Sequence, residues 1–176
     1  MAGRIMPNPP LLAVDTNFLI DLAADDDNAL DCLAIIRKKL PSAPILVLPT
    51  VIQELADIAS RRDESRSKLL AIKALQSILK PWGFRPVNYV PVGHGIVEET
   101  ARKIRAGGLL PEEEINDSLI IAESALANVT LLISSDGHMK NIGHRKLKAI
   151  LEGCDLTDTI IAPPWKIVHD FFDSTH

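Results

Sequence analysis

Four carboxylates stand where an apolar run gives way to polar sequence. Asp15 closes the first such run in Val14-Asp15-Thr16-Asn17, and Glu54 lies one helical turn beyond the run at 45–48. Asp117 opens the apolar stretch of Asn116-Asp117-Ser118-Leu119-Ile120, and Asp136 closes Ile133-Ser134-Ser135-Asp136-Gly137. In open α/β sheets, ligands bind outside the carboxyl ends of the strands, so these positions predict one acidic cluster at one sheet edge. Two like charges about 4 Å apart repel by about 4 kcal/mol at an effective dielectric near 20, a large share of the stability of an ordinary domain. No Lys or Arg lies in the four segments to neutralise them. Hard oxygen donors without His or Cys select Mg²⁺ or Mn²⁺, so the expected cofactor is one or two such ions. The chemistry that uses them most directly is phosphoryl transfer. One ion lowers the pKa of an attacking water, and a second, about 3.5–4 Å away, stabilises the leaving oxygen. Hydrolysis of a phosphodiester on this plan leaves a 5′-phosphate and a 3′-hydroxyl.

The elements that must position these acids are legible as strands alternating with helices. A strand at 11–15 is followed by helical patterning at 17–22 and 28–40, with Asp25-Asp26-Asp27 as a solvated loop between them. A second buried-type strand, 45–48, lies between Pro44 and Pro49, and Thr50 is placed to cap a helix through about Ser60. Residues 67–80 read as an amphipathic helix ending at Pro81. A third strand is expected over 87–92, limited to a short or edge element by Pro86 and Pro91. A helix over 95–106 closes at Gly107-Gly108, and Pro111 starts another over 112–127, with acids in its first turn and an apolar, buried middle. A strand at 130–135, a basic helix at 144–152, a strand at 159–162 and a terminal extension complete the chain. This order predicts a three-layer α/β/α sandwich around a central parallel sheet of about five strands. The expected organisation is one domain over 1–162, with 163–176 packed on it.

Composition excludes several other classes. At 176 residues with 47% apolar and 24% charged side chains, the chain is long enough to bury about 70% of its unfolded surface. Its apolar runs are far shorter than the roughly 18 residues of a membrane span. The first ten residues lack a signal-peptide pattern, so a cytoplasmic location is expected. Cys32 and Cys154 form no C-x-x-C pair and are expected to be ordinary buried thiols rather than zinc ligands or a disulfide framework. The net charge of −4 rules out nucleic-acid binding by bulk positive charge. Without the four acids, however, 19 acidic residues balance 19 basic ones, and a phosphodiester can approach.

The ordered segments V-D-T-N-F-L-I-D, V-I-Q-E-L, I-N-D-S-L-I-I-A and L-L-I-S-S-D resemble the PIN-domain family of metal-dependent ribonucleases, which includes the VapC-type toxins. The resemblance covers residues 11–162. It implies that Asp15, Glu54, Asp117 and Asp136 are the metal-holding catalytic acids and that Asn17 and Ser134 orient ligands or water. It further implies RNA as substrate, a homodimer, and an antitoxin protein as partner. Two departures stand out: extra length around 60–95 and after 163, and His138 where the family often has a second acid after Asp136. A three- or four-carboxylate site is therefore expected, with His138 an outer group or a surface residue.

Supporting residues follow from spacing. Glu113 and Glu114 lie four and three residues before Asp117 and share its helical face, which makes Glu114 a candidate supporting acid. Among the basic groups, Lys140, Arg145, Lys146 and Lys148 follow Asp136 closely, and Lys140, Arg145 and Lys146 are the candidate phosphate contacts. Aromatic residues make up only 4% of the chain, which disfavours a channel built on base stacking and favours recognition of RNA shape and backbone. Trp82, Phe84, Trp165, Phe171 and Phe172 are expected in the core or in dimer contacts. Taken singly, an Asp that ends a strand is often only the cap of the next helix. The alternative readings are a catalytically silent PIN-like module that binds RNA or protein, and a haloacid-dehalogenase-like phosphatase. The phosphatase pattern requires a second Asp where Asn17 stands, and a dinucleotide fold requires glycines absent from Asp15-Thr16-Asn17-Phe18.

Overall fold

The computed structural model describes residues 8–88 and 94–173. The centre of the sheet is built from β1 (Leu12–Val14), β2 (Ile45–Val47) and β4 (Leu131–Ile133), short aliphatic runs without polar alternation, as strands covered on both faces require. β3 (Arg85–Pro86) and β5 (Ile160–Ala162) are the edges, the order is β3-β2-β1-β4-β5, and every pairing is parallel. Val14 is level with both Val47 and Ile133, so three strands end at the same height. The chain runs outward from β1 through β2 to β3, then returns to place β4 on the other side of β1. The reversal opens a crevice at the carboxyl ends of β1 and β4, the place where such sheets bind ligands.

Helices cover both faces. α1 (Thr16–Ala23) and α2 (Asp27–Lys39) follow β1, α3 (Pro49–Ala59) and α4 (Arg66–Ser77) follow β2, and α8 (Pro164–Asp173) packs on α2. On the other side, α5 (His94–Ala106) packs against α6 (Ile115–Leu126) and α7 (His144–Glu152). α3 touches both α4 and α6, which brings the two layers together at the crevice. The result is the three-layer α/β/α sandwich. The core joins Val14, Phe18, Val47, Leu55, Ile120 and Leu132, all almost fully buried. Among the described residues, no helix is long and apolar enough to cross a membrane.

Several boundaries differ from the sequence expectation. The third strand is Arg85–Pro86 instead of 87–92, because buried Phe84 draws the chain into the core and sets pairing immediately after it. Val87 adds one backbone bond to Val47, and positions 89–92 of the expected strand lie outside the described residues. α4 stops at Ser77, since the backbone of 78–84 turns back on itself through Gly83, whose φ of +65° few other residues adopt without strain. α6 begins at Ile115, so Glu112 and Glu113 belong to the preceding turn, not to the helix. The tail forms α8 with Pro164 in its first turn.

Asp25-Asp26-Asp27 is more structured than a solvated loop. Asp25 adopts φ +58° and pairs with Lys73 at 3.0 Å, while Asp26 caps α2 by accepting from the Ala29 N–H. Replacing Asp26 with Ala is expected to cost about 1 kcal/mol, lowering Tm by ~2–4 °C in a calorimetric scan. Cys32 is buried and its thiol is pushed up to about 12 by that burial, whereas Cys154 is only half-buried. Trp82 and Phe84 pack together in the core, but Trp165, at 58% exposure, lies outside it. The Phe172 side chain lies outside the described residues.

Candidate active site

Asp15 is the first residue beyond β1 and is 1% exposed. It caps α1, with Oδ1 accepting from the Phe18 N–H at 2.7 Å, while Oδ2 accepts from the Ser134 hydroxyl. Capping and site membership therefore coexist in one side chain. Burial pushes its carboxyl up to about 6, opposed by the hydrogen bonds from Ser134, Phe18 and the Ser135 backbone, and assisted by the charge of Asp136.

Ser134 links the two strand-ending acids. Fully buried, it donates to Asp15 and accepts from the Asp136 N–H at 3.1 Å. Asp136 Oδ1 accepts from the N–H groups of His138 (2.6 Å) and Met139 (3.3 Å), which organises the short 3-10 turn at Met139–Asn141. Its Oδ2 accepts from the Asn17 amide at 3.1 Å.

Glu54 reaches the same place from α3. One carboxylate oxygen accepts from the Thr16 hydroxyl and the other from the Asn116 amide at 2.8 Å. Asp117, in the first turn of α6, is half-buried and pushed up to about 7. Burial is the main cause, followed by the charges of Asp136, Glu114, Glu54 and Asp15. The other three sequence-predicted acids and Glu114 thus lie within electrostatic reach of Asp117, and among the described residues no basic group offsets them there. Glu114 Oε1 is 3.8 Å from His138 Nε2, which places His138 at the rim of the cluster.

The donors are all carboxylate oxygens, which suits Mg²⁺ or Mn²⁺, and the uncompensated charge calls for a cation. As they stand, no three His, Cys, Asp or Glu side chains among the described residues converge on a single ligating point. Both carboxylate oxygens of Asp15, Glu54 and Asp136 are engaged by protein donors, whereas the Asp117 carboxylate has no hydrogen-bond partner among the described residues.

Other predicted groups separate. Lys140 sits on the turn after Asp136, but its side chain lines a neighbouring cavity. Arg145 and Lys146 are exposed in the first turn of α7. Lys148 and His144 both pair with Asp158 instead of facing the acids. Arg102 is engaged by Glu99, and Arg105 by Ser118 and Glu112.

Three residues escape the sequence reading. Thr16 and Asn116 stand beside acids within the motifs, and their polarity was the available signal for contact with Glu54. Glu123, hidden in the apolar middle of α6, is 5% exposed and accepts from the Thr50 N–H at 3.2 Å and the Thr50 hydroxyl at 2.7 Å. Thr50 is not the cap of α3: the N-cap is Leu48, which has no capping side chain, and Glu123 supplies the acceptor from another element. It thereby fixes the end of α3 one turn before Glu54. Glu123→Ala is expected to cost about 1–2 kcal/mol in urea unfolding by stripping Thr50 of its partner.

The PIN-domain family model matches residues 12–145. The fold is similar to that in a crystal structure of VapBC2 from Rickettsia felis bound to a DNA fragment from their promoter, with a TM-score of 0.59 and 17% identity over 87% of this chain and 98% of that one. No curated protein matches the chain. A family match over most of the chain, on a sheet whose switch point gathers the four acids, establishes that the chain belongs to the PIN-domain family.

Proposed function

We propose that this protein is a Mg²⁺- or Mn²⁺-dependent endoribonuclease that hydrolyses RNA phosphodiester bonds at the acidic crevice. The observation that carries the reading is Asp117, pushed up to about 7 by burial and by four like-charged neighbours, with no basic side chain among the described residues to offset them. Asp15, Glu54, Asp117 and Asp136 are the residues that would hold one or two ions. When bound, a divalent ion supplies an activated water and stabilisation of charge on the phosphoryl group.

The protein's own groups divide the remaining work. Ser134, the Phe18 and Ser135 N–H groups and the α1 cap hold Asp15 in one orientation. Asn17 and the turn after Asp136 do the same for Asp136. Thr16 and Asn116 hold Glu54. Asp117 keeps its lone pairs unspent among the described residues, and it is the acid free to complete the ligand set. Glu114 supports the site from the rim, and Arg145 and Lys146 lie exposed where they can meet the RNA backbone.

The VapBC2 neighbour supports a further step in the same reading: the protein acts as the toxin of a toxin–antitoxin pair, with an antitoxin protein as partner. The reading also takes the protein as a homodimer in the cytoplasm. In this scheme residues 1–162 form the functional domain and 163–176 a tail packed on it.

The test is incubation of purified protein with structured and single-stranded RNA in Mg²⁺, Mn²⁺ or EDTA, beside an identically prepared Asp117→Asn variant. Metal-dependent cutting that vanishes in the variant supports the reading. RNA binding without cutting, retained by the variant, supports the second reading, a catalytically silent PIN-like module, which is favoured by the absence of three converged ligands.

A further inference from the structure

A cavity of about 190 Å³ opens beside the acids, between α1, the start of α2, the turn after β4 and the start of α8. Its wall carries Asp21, Asp26, Asn28, Ser135, Lys140 and Trp165. Ser135 and Lys140 bracket Asp136 in sequence, and the Lys140 N–H donates to the Asp136 carbonyl at 3.2 Å. On α1, Asp21 lies four residues beyond Asn17, the partner of Asp136, and therefore on the same face about 6 Å further along the helix. The cavity is thus adjacent to the crevice along two separate elements.

Apart from Asp26, whose Oδ1 caps α2, its polar side chains are uncommitted among the described residues. The side chains of Asp21, Asn28, Lys140 and Trp165 make no hydrogen bond or ion pair among the described residues, and the Ser135 hydroxyl is buried there without a partner. A buried hydroxyl left unpaired costs free energy that a ligand recovers. Trp165, at 58% exposure, offers an aromatic face beside these groups. It lies beyond residue 145, where the family match ends, so the cavity is completed by a residue outside the matched segment.

We propose that this cavity receives one nucleobase of the RNA strand next to the cleaved phosphate, with guanine preferred. The RNA identity of the ligand rests on the ribonuclease reading above. One flat aromatic side chain stacks one base. Carboxylates accept from base N–H groups, and a lysine donates to the O6 and N7 acceptors of guanine. Guanine is the base that presents adjacent N–H donors on one edge and both of those acceptors on the other, a set that the carboxylates of Asp21 and Asp26 and the ammonium of Lys140 in the cavity wall can answer.

The test is a fluorescence titration of the full chain in EDTA with short uridine oligoribonucleotides carrying A, C, G or U at one central position. Trp82 is buried, so exposed Trp165 is the responsive reporter. Saturable quenching, tightest for the guanine oligomer, is expected. In fluorescence anisotropy with labelled oligomers, Trp165→Leu is expected to weaken binding about tenfold or more and Asp21→Asn to reduce the guanine preference at unchanged Tm. Equal affinity for all four oligomers, undiminished by either variant, overturns the proposal, even if metal-dependent cleavage is intact. No quenching by any oligoribonucleotide also overturns it and assigns this face to a protein partner. Guanine-selective binding without cleavage would keep the cavity's role and count against the nuclease reading alone.

Discussion

Asp117→Asn is expected to abolish metal-dependent RNA cleavage, with a rate loss of about 10²- to 10³-fold, the scale set by removing one electrostatic group from a reacting centre. The same variant is expected to be more stable than the parent in metal-free buffer near pH 8. Asp117 accepts no hydrogen bond among the described residues, so neutralising it sacrifices none of those bonds and removes repulsion from Asp136, Glu114, Glu54 and Asp15. Asp15→Asn is a less clean probe. Its carboxylate caps α1 and receives the Ser134 hydroxyl, so relief of repulsion there is offset by lost contacts. Parallel cleavage assays and melts separate the two effects: loss of activity with gain of metal-free stability marks a group present for chemistry. Equal activity in parent and variant would remove Asp117 from the mechanism.

The second large effect is on pH. Both Asp15 and Asp117 have carboxyl groups raised in the folded protein, from 3.8 to about 6 and about 7. Between the unfolded and folded values the native state binds more protons, so stability is full below about pH 4 for these two groups and is lost as pH rises through 6 to 7. For buried Asp15 the change from 3.8 to about 6 corresponds to about 3 kcal/mol. Asp117 adds less than its nominal share, because it is more open and solvent screens it. In EDTA, urea midpoints are expected to fall between pH 5 and 8. Millimolar Mg²⁺ or Mn²⁺ is expected to restore them at the upper end, by about 2.7 kcal/mol at a hundredfold excess over Kd. A metal-free profile that is flat or rises over this interval would show that burial and neighbouring charge do not raise the Asp15 and Asp117 carboxyls.

The parts of the site legible in the sequence are those set by local pattern. The strand runs ending at Val14 and Ile133 are aliphatic and short, so Asp15 and Asp136 had to emerge at strand ends, and parallel pairing put the two ends level. What local pattern cannot carry is contact across long separations. The Thr16–Glu54 and Asn116–Glu54 bonds join residues 38 and 62 apart, and only the packing of α3 on its neighbours decides them. Glu123 was hidden for a related reason: an acid inside an apolar helix is invisible to periodicity until its partner, 73 residues away, is known. The third strand was misplaced because Phe84, not the prolines, anchors its register. The role of Trp165 depends on α8 folding back over α2, a docking that no periodicity in the tail announces.

The placement of β4 beside β1 also has a consequence for the order of synthesis. Asp15 leaves the ribosome early, but its partner Ser134 and the acids Asp117 and Asp136 emerge more than 100 residues later. β1 remains without one of its two neighbouring strands until 131–133 is available. Pairings of such long separation form slowly and late. A growing chain therefore carries scattered carboxylates, and the acidic centre is assembled only when the last of its elements has been made.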